Sequence, residues 1–140
     1  MDALLTLLER QPLVFVHLAS AVTALLIGAI VLARRKGTAA HRALGWTWVA
    51  AMGTATVSSA FLHDPHALPG LGGFSPIHLF TAYVAVALPR AAWHARRGSL
   101  VAHRMTMRGI YIGGCIVAGL FTLLPWRFLG SLLWPALGVV

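Results

Sequence analysis

Histidine is the residue type in this chain that is best suited to chemistry. The sequence contains seven histidines, but only three acidic residues and one cysteine. No acidic residue falls within a long apolar run, so the chain lacks the intramembrane carboxylates of proton-coupled pumps and the acid/base pair that most hydrolases need. It also has no nucleophile–base signature, phosphate-binding loop or metalloprotease motif. Imidazole ligation of a metal or a haem iron is the favoured chemistry, which suits an electron carrier or an accessory subunit better than a self-contained enzyme.

Two of the histidines occupy equivalent positions in an internal repeat. Residues 33–42 and 95–104 are identical at six of ten positions, and both contain a histidine followed by arginine, His41-Arg42 and His103-Arg104. Each copy joins one long apolar run to the next, so the repeat predicts two helical hairpins that run in the same direction. The predicted units cover about residues 12–63 and 75–126 within a single domain, residues 1–140.

The composition predicts an integral membrane protein. The chain is 59% hydrophobic and only 10% charged, whereas about a quarter of the residues in a soluble domain carry charge. Four apolar runs are long enough to cross a bilayer as helices. They are Leu13–Leu32, Leu44–Leu62, Ser75–Ala92 and Ile110–Leu124, and Phe128–Val140 is a shorter apolar segment expected in the interface. We therefore expect an all-α protein with four transmembrane helices in two tandem hairpin repeats.

The distribution of charge predicts the orientation. The net charge is +8, and nine of the eleven Lys and Arg residues lie in or beside the two repeat segments. Such clustering points to a membrane surface rather than to nucleic acid as the partner. The positive-inside rule then places both repeat segments in the cytoplasm and both termini in the periplasm of a bacterial inner membrane. A solvated basic collar facing the lipid headgroups explains these residues without any ligand.

Three histidines lie near the predicted outer face. His17 lies in the first run, His63 follows the second and His78 lies in the third. Three imidazoles at similar depth suit Zn, Cu or Fe. The alternative is that they bond to lipid headgroups or cap helix ends.

Two histidine pairs near opposite ends of the protein would match a two-haem b-type cytochrome. In that arrangement His17 with His78 ligates the outer iron, and His41 with His103 ligates the inner one. Small residues make room for the macrocycle, and basic residues such as Arg42 and Arg104 meet its propionates. The remaining histidines, His66 and His94, are expected to be surface groups.

Small residues on the helix faces support a different interpretation. Membrane helices pack closely through such residues, and a stripe of them runs along the first span to Gly28, with others near Gly114. A non-catalytic subunit of a larger complex, or a homodimer, would use these faces. In that case the histidines would be dispensable, and bulky residues at the two glycines would disrupt assembly.

Four motifs in order are similar to those of a family of small bacterial membrane proteins catalogued as a domain of unknown function. The resemblance covers nearly the whole chain and implies a four-helix inner-membrane protein, but it implies no activity. The motifs are KGTxxHRxxGW at residues 36–46, SSxFxH at 58–63, GFSPIHL at 73–79 and ARRGxxxAHRxxM at 95–107.

The leading hypothesis is a membrane-embedded redox protein with histidine-ligated haem b, which moves electrons between a quinone and a partner. The alternatives are the accessory subunit and a zinc or copper site at the outer face.

Overall fold

The computed structural model describes residue 9 and residues 11–62, 78–125 and 128–138. Within these ranges every regular element is helical. The histidines at positions 63 and 66 lie outside the described residues. The helices are α1 (Pro12–Ala33), α2 (Ala39–Phe61), α3 (His78–Arg96), α4 (Leu100–Thr122) and α5 (Phe128–Ala136).

Helices α2 and α4 begin earlier in the chain than hydropathy predicts. Helix α2 starts at Ala39 rather than Leu44, and α4 starts at Leu100 rather than Ile110. Hydropathy reports only the apolar part of a helix, whereas backbone hydrogen bonds extend it into the polar segment that precedes the span. The two repeat histidines consequently lie in the first turns of helices and not in loops.

Glycine shapes both short connections. Gly37 has φ of +83° between α1 and α2, and Gly98 has φ of +76° between α3 and α4. Only glycine adopts this left-handed region without a steric penalty. Each hairpin can therefore turn within a few residues.

Helix α4 changes its winding in the middle. The segment Tyr111–Val117 is π-helical and separates the α-helical parts Leu100–Ile110 and Ala118–Thr122. Such segments are uncommon and often occur near functional sites. The wider turn brings Tyr111 towards α1, as described below.

The four long helices pack against one another in cyclic order. Helix α1 packs along α2, α2 on α3, α3 on α4, and the π-helical segment of α4 contacts α1. Three alanines lie in the centre among larger side chains, which lets the helices approach closely there. The buried cluster comprises Ala24, Trp48, Met52, Val84, Ala87, Leu88, Ala91, Ile110 and Cys115.

The periphery is apolar. Large side chains such as Leu26, Val57 and Leu120 are exposed, as expected where lipid replaces water. Among the described helices, α1 and α4 are long and apolar enough to cross a membrane. Helices α2 and α3 are long enough but not apolar enough by the same measure.

Candidate functional site

A cavity of about 540 Å³ lies between α1, α2, α3 and α4, beside the two repeat segments. Its volume is within the range of small-molecule sites, roughly 300–1,000 Å³. Both repeat histidines line it, so the structure brings His41 and His103 to one site. The other lining residues are Gly28, Val31, Leu32, Lys36, Gly37, Arg42, Gly45, Trp46, Trp48, Val49, Ala92, Ala95, Arg96, Leu100, Arg104, Met107, Arg108 and Tyr111.

His103 is held by the neighbouring helix. Its Nδ1 lies 2.9 Å from the carbonyl oxygen of Ala91 on α3. Because a carbonyl oxygen can only accept, Nδ1 carries the proton and donates it. In the neutral ring the lone pair is then on Nε2, the tautomer in which that nitrogen can ligate a metal.

His41 lacks a corresponding anchor. Its Nδ1 atom is buried and has no hydrogen-bond partner among the described residues. The ring lies ahead of the predicted span, where burial lowers its pKa below the ordinary value and the positive charges of Lys36, His103 and Arg104 lower it further. A neutral ring with an unpaired nitrogen can bind a ligand.

The cavity contains five basic side chains and no acidic one. The acidic residues of the whole chain are at positions 2, 9 and 64, so none lies on the parts of the helices that line the cavity. Two of the basic side chains donate to backbone carbonyls, Arg42 Nη1 to Gly37 at 3.0 Å and Lys36 Nζ to Leu32. The excess positive charge favours an anionic ligand. The five basic residues are Lys36, Arg42, Arg96, Arg104 and Arg108.

Two aromatic side chains separate the cavity from the protein core. Trp48 Nε1 donates to the carbonyl oxygen of Ala24 at 2.9 Å, and the Tyr111 hydroxyl donates to that of Leu25 at 3.2 Å. Both rings contact Gly28, where an added Cβ would lie 2.6 Å from each side chain. The sequence reasoning missed Tyr111, and its only signal there was the glycine in the small-residue stripe of α1.

The predicted outer ligands contact α2. His17 Nδ1 lies 3.0 Å from the carbonyl oxygen of Ala55 and 3.1 Å from Ser58 Oγ. His78 Nε2 lies 3.3 Å from the carbonyl oxygen of Leu62, about two turns further along. The third predicted ligand, His63, is outside the described residues. In the described part of the chain, no three His, Cys, Asp or Glu side chains are grouped for a metal ion, so this site stays a prediction.

His94 does not line the cavity, although it lies close in sequence. It is partly exposed, and its ring packs edge-on against Trp93 with 5.4 Å between the ring centroids. It therefore provides a matched control for the two cavity histidines.

The two glycines that the assembly hypothesis invokes face side chains of other helices in the same chain. Gly114 faces Val84 and Met52, to which an added Cβ would approach within 3.0 and 3.1 Å. Gly28 contacts Trp48 and Tyr111. Bulky residues at these positions would disturb the protein's own packing first, so they do not discriminate an accessory subunit from other functions.

Comparison with known proteins identifies a family but no characterised relative. Residues 14–134 match a family described as "Predicted membrane protein (DUF2306)". No curated protein and no solved structure matches the chain.

Proposed function

The chain belongs to this family of predicted membrane proteins of unknown function, and on that premise we propose that it is a membrane-embedded redox protein that holds a b-type haem between His41 and His103. One observation carries the proposal. Histidines from the first turns of α2 and α4 line the same carboxylate-free basic cavity. Imidazole ligands and nearby cations are what haem iron and haem propionates require.

The proposed topology has four transmembrane spans, which are the apolar parts of α1 to α4, in two tandem hairpins. Helices α1 and α4 meet the length and hydropathy requirements by themselves, and α2 and α3 pack between them. The common cavity supports placing both repeat segments at one end of a four-helix bundle. By the positive-inside rule this end is cytoplasmic and the termini are periplasmic.

The cavity residues suit a flat dianionic cofactor. The hydrogen bond to Ala91 leaves the Nε2 lone pair of the neutral His103 ring for a ligand, and Nδ1 of His41 has no partner among the described residues that would fix its ring. Arg42 and Arg104 can pair with carboxylates. Gly45 lines the cavity, and no atom lies within 4 Å of the position that a Cβ there would take. Haem held by these two histidines would supply one-electron transfer. A quinone in the bilayer and a partner protein are the proposed exchange partners.

A second, outer centre is a separate proposal. In it, His17 and His78 ligate another haem, or together with His63 they bind a zinc or copper ion. The hydrogen bond from His17 Nδ1 to Ala55 supports it, because the lone pair of the neutral ring is then on Nε2. Elemental analysis of parent and His17→Ala protein tests this centre, and equal metal content would contradict it.

The absorption spectrum of the purified full chain tests the inner site. After incubation with haemin we expect a Soret band, and a sharp visible band on reduction. His41→Ala and His103→Ala should lose these bands, whereas His94→Ala should keep them. An iron-free parent protein without a Soret band would end the haem proposal.

The competing proposal is a non-catalytic subunit of a larger complex or a homodimer. The large apolar side chains that face outward from the helices favour it, because a partner could cover them as lipid does. It predicts that His41→Ala and His103→Ala keep the native mass of the protein extracted in mild detergent. A change in that mass would contradict it.

A further inference from the structure

A cation–π contact bridges two helices at the side of the cavity. The guanidinium carbon of Arg96, the last residue of α3, lies 5.6 Å from the centre of the Trp46 ring on α2. Both side chains line the cavity. The contact therefore joins α2 and the end of α3 at this point.

A second cation–π contact lies outside the cavity. Arg97 lies 4.2 Å from the centre of the Trp93 ring, and both belong to α3 or the turn that follows it. Neither lines the cavity. The two tryptophans are similarly exposed, 53% for Trp46 and 50% for Trp93, so the second pair is a matched control for the first.

The geometry points to a side entrance to the cavity between α2 and α3, which the Arg96–Trp46 pair closes and an anionic ligand opens. An exposed cation–π contact is weak. A charge-assisted hydrogen bond to a carboxylate is stronger, so an arriving acid group draws Arg96 from the indole into the cavity. The choice of haem as that ligand rests on the proposed function, whereas the entrance itself does not.

Access to the cavity can be measured without any ligand. Ala92 lines the cavity from α3. In a Cys115→Ala background, the rate at which a negatively charged methanethiosulfonate labels Ala92→Cys therefore measures access of an anion to the cavity. Trp46→Leu should accelerate labelling about two- to fivefold, the factor that a lost exposed cation–π contact allows. Trp93→Leu should leave the rate unchanged. Equal rates in the two variants would overturn the entrance.

A second experiment measures the dissociation of haemin. If Arg96 pairs with a propionate, Arg96→Gln should accelerate haemin dissociation by about tenfold or more, and Arg97→Gln should not. Equal dissociation rates would contradict the transfer of Arg96 to the ligand. A parent protein that takes up no haemin would overturn the proposed function, while the labelling rates would still decide the entrance.

Discussion

At the scale of single residues, the two cavity histidines differ in how their nitrogens are satisfied. His103 donates to the carbonyl oxygen of Ala91, but Nδ1 of His41 is buried without a partner among the described residues. A ligand that pairs with this nitrogen would satisfy it.

The stability of the ligand-free protein should depend on the charge of His41. Its pKa is lowered, first by burial and then by neighbouring positive groups. The unfolded chain therefore takes up the proton at a higher pH than the folded protein, and the free energy of unfolding should fall as the pH drops through the ordinary value of 6.5. Thermal unfolding in detergent at about pH 7.5 and about pH 5.5 measures this fall.

The matched comparison uses His41→Gln, which cannot titrate. Its melting temperature should fall less on acidification than that of the parent, whereas His94→Gln should follow the parent. If the melting temperature of His41→Gln fell on acidification as much as that of the parent, groups other than His41 would cause the pH dependence.

At the scale of elements, the repeat segments are similar in sequence but start their helices differently. Thr38 caps α2, because its Oγ1 accepts a hydrogen bond from the His41 backbone N–H at 3.1 Å. Ser99 precedes α4 and makes no side-chain cap bond. The cap holds the first turn of α2, which contains His41.

Removal of the hydroxyl should consequently affect the two helices unequally. Thr38→Ala should lower the free energy of unfolding by about 0.5–2 kcal/mol, the usual cost of a lost cap. Ser99→Ala should change it little. Circular dichroism during thermal unfolding measures both, and equal losses would refute the assigned difference in capping.

Helix α1 depends on a glycine for its contact with the aromatic side chains below the cavity. An alanine Cβ at position 28 would overlap Trp48 and Tyr111, and overpacking of this kind costs about 1–3 kcal/mol. Gly28→Ala should therefore lower the melting temperature and displace the rings into the cavity. Nothing lies within 4 Å of a Cβ at Gly53 in α2.

Gly53→Ala is the control for that substitution. It should be neutral or stabilising by up to about 1 kcal/mol, because alanine favours a helix interior over glycine. If both substitutions destabilised the protein equally, the cause would be the change of glycine to alanine in a helix and not the overlap with the two aromatic rings.

At the scale of the whole molecule, charge and apolar surface divide the protein. The five basic cavity residues belong to or adjoin the repeat segments, while exposed large apolar side chains cover the sides of the helices. This division suits a protein whose sides face lipid and whose basic end faces lipid headgroups.

Cysteine labelling in intact cells tests the proposed topology. In a Cys115→Ala background, Gln11→Cys should react with a membrane-impermeant maleimide added outside, because it precedes α1 at the periplasmic end. Arg35→Cys and Ser99→Cys should react only after the membrane is permeabilised. Labelling of one turn and not the other from outside would rule out two hairpins of the same direction.

The sequence by itself determined the helical membrane class and the family, because hydropathy and motif order are properties of neighbouring residues along the chain. It also singled out His41, His103 and their arginines from the repeat. It predicted the first helix nearly to its ends, since α1 extends one residue beyond the apolar run at each end.

Only the tertiary structure decided which groups share a site. It showed that His41 and His103, which the repeat had paired, line one cavity, assigned Ala91 as the partner of His103, and added Tyr111, which no motif indicated. The physical reason is that these contacts join residues of different helices. They depend on how the helices pack, including the π-helical turn and the close approach at Gly28, and spacing along the chain does not encode that packing.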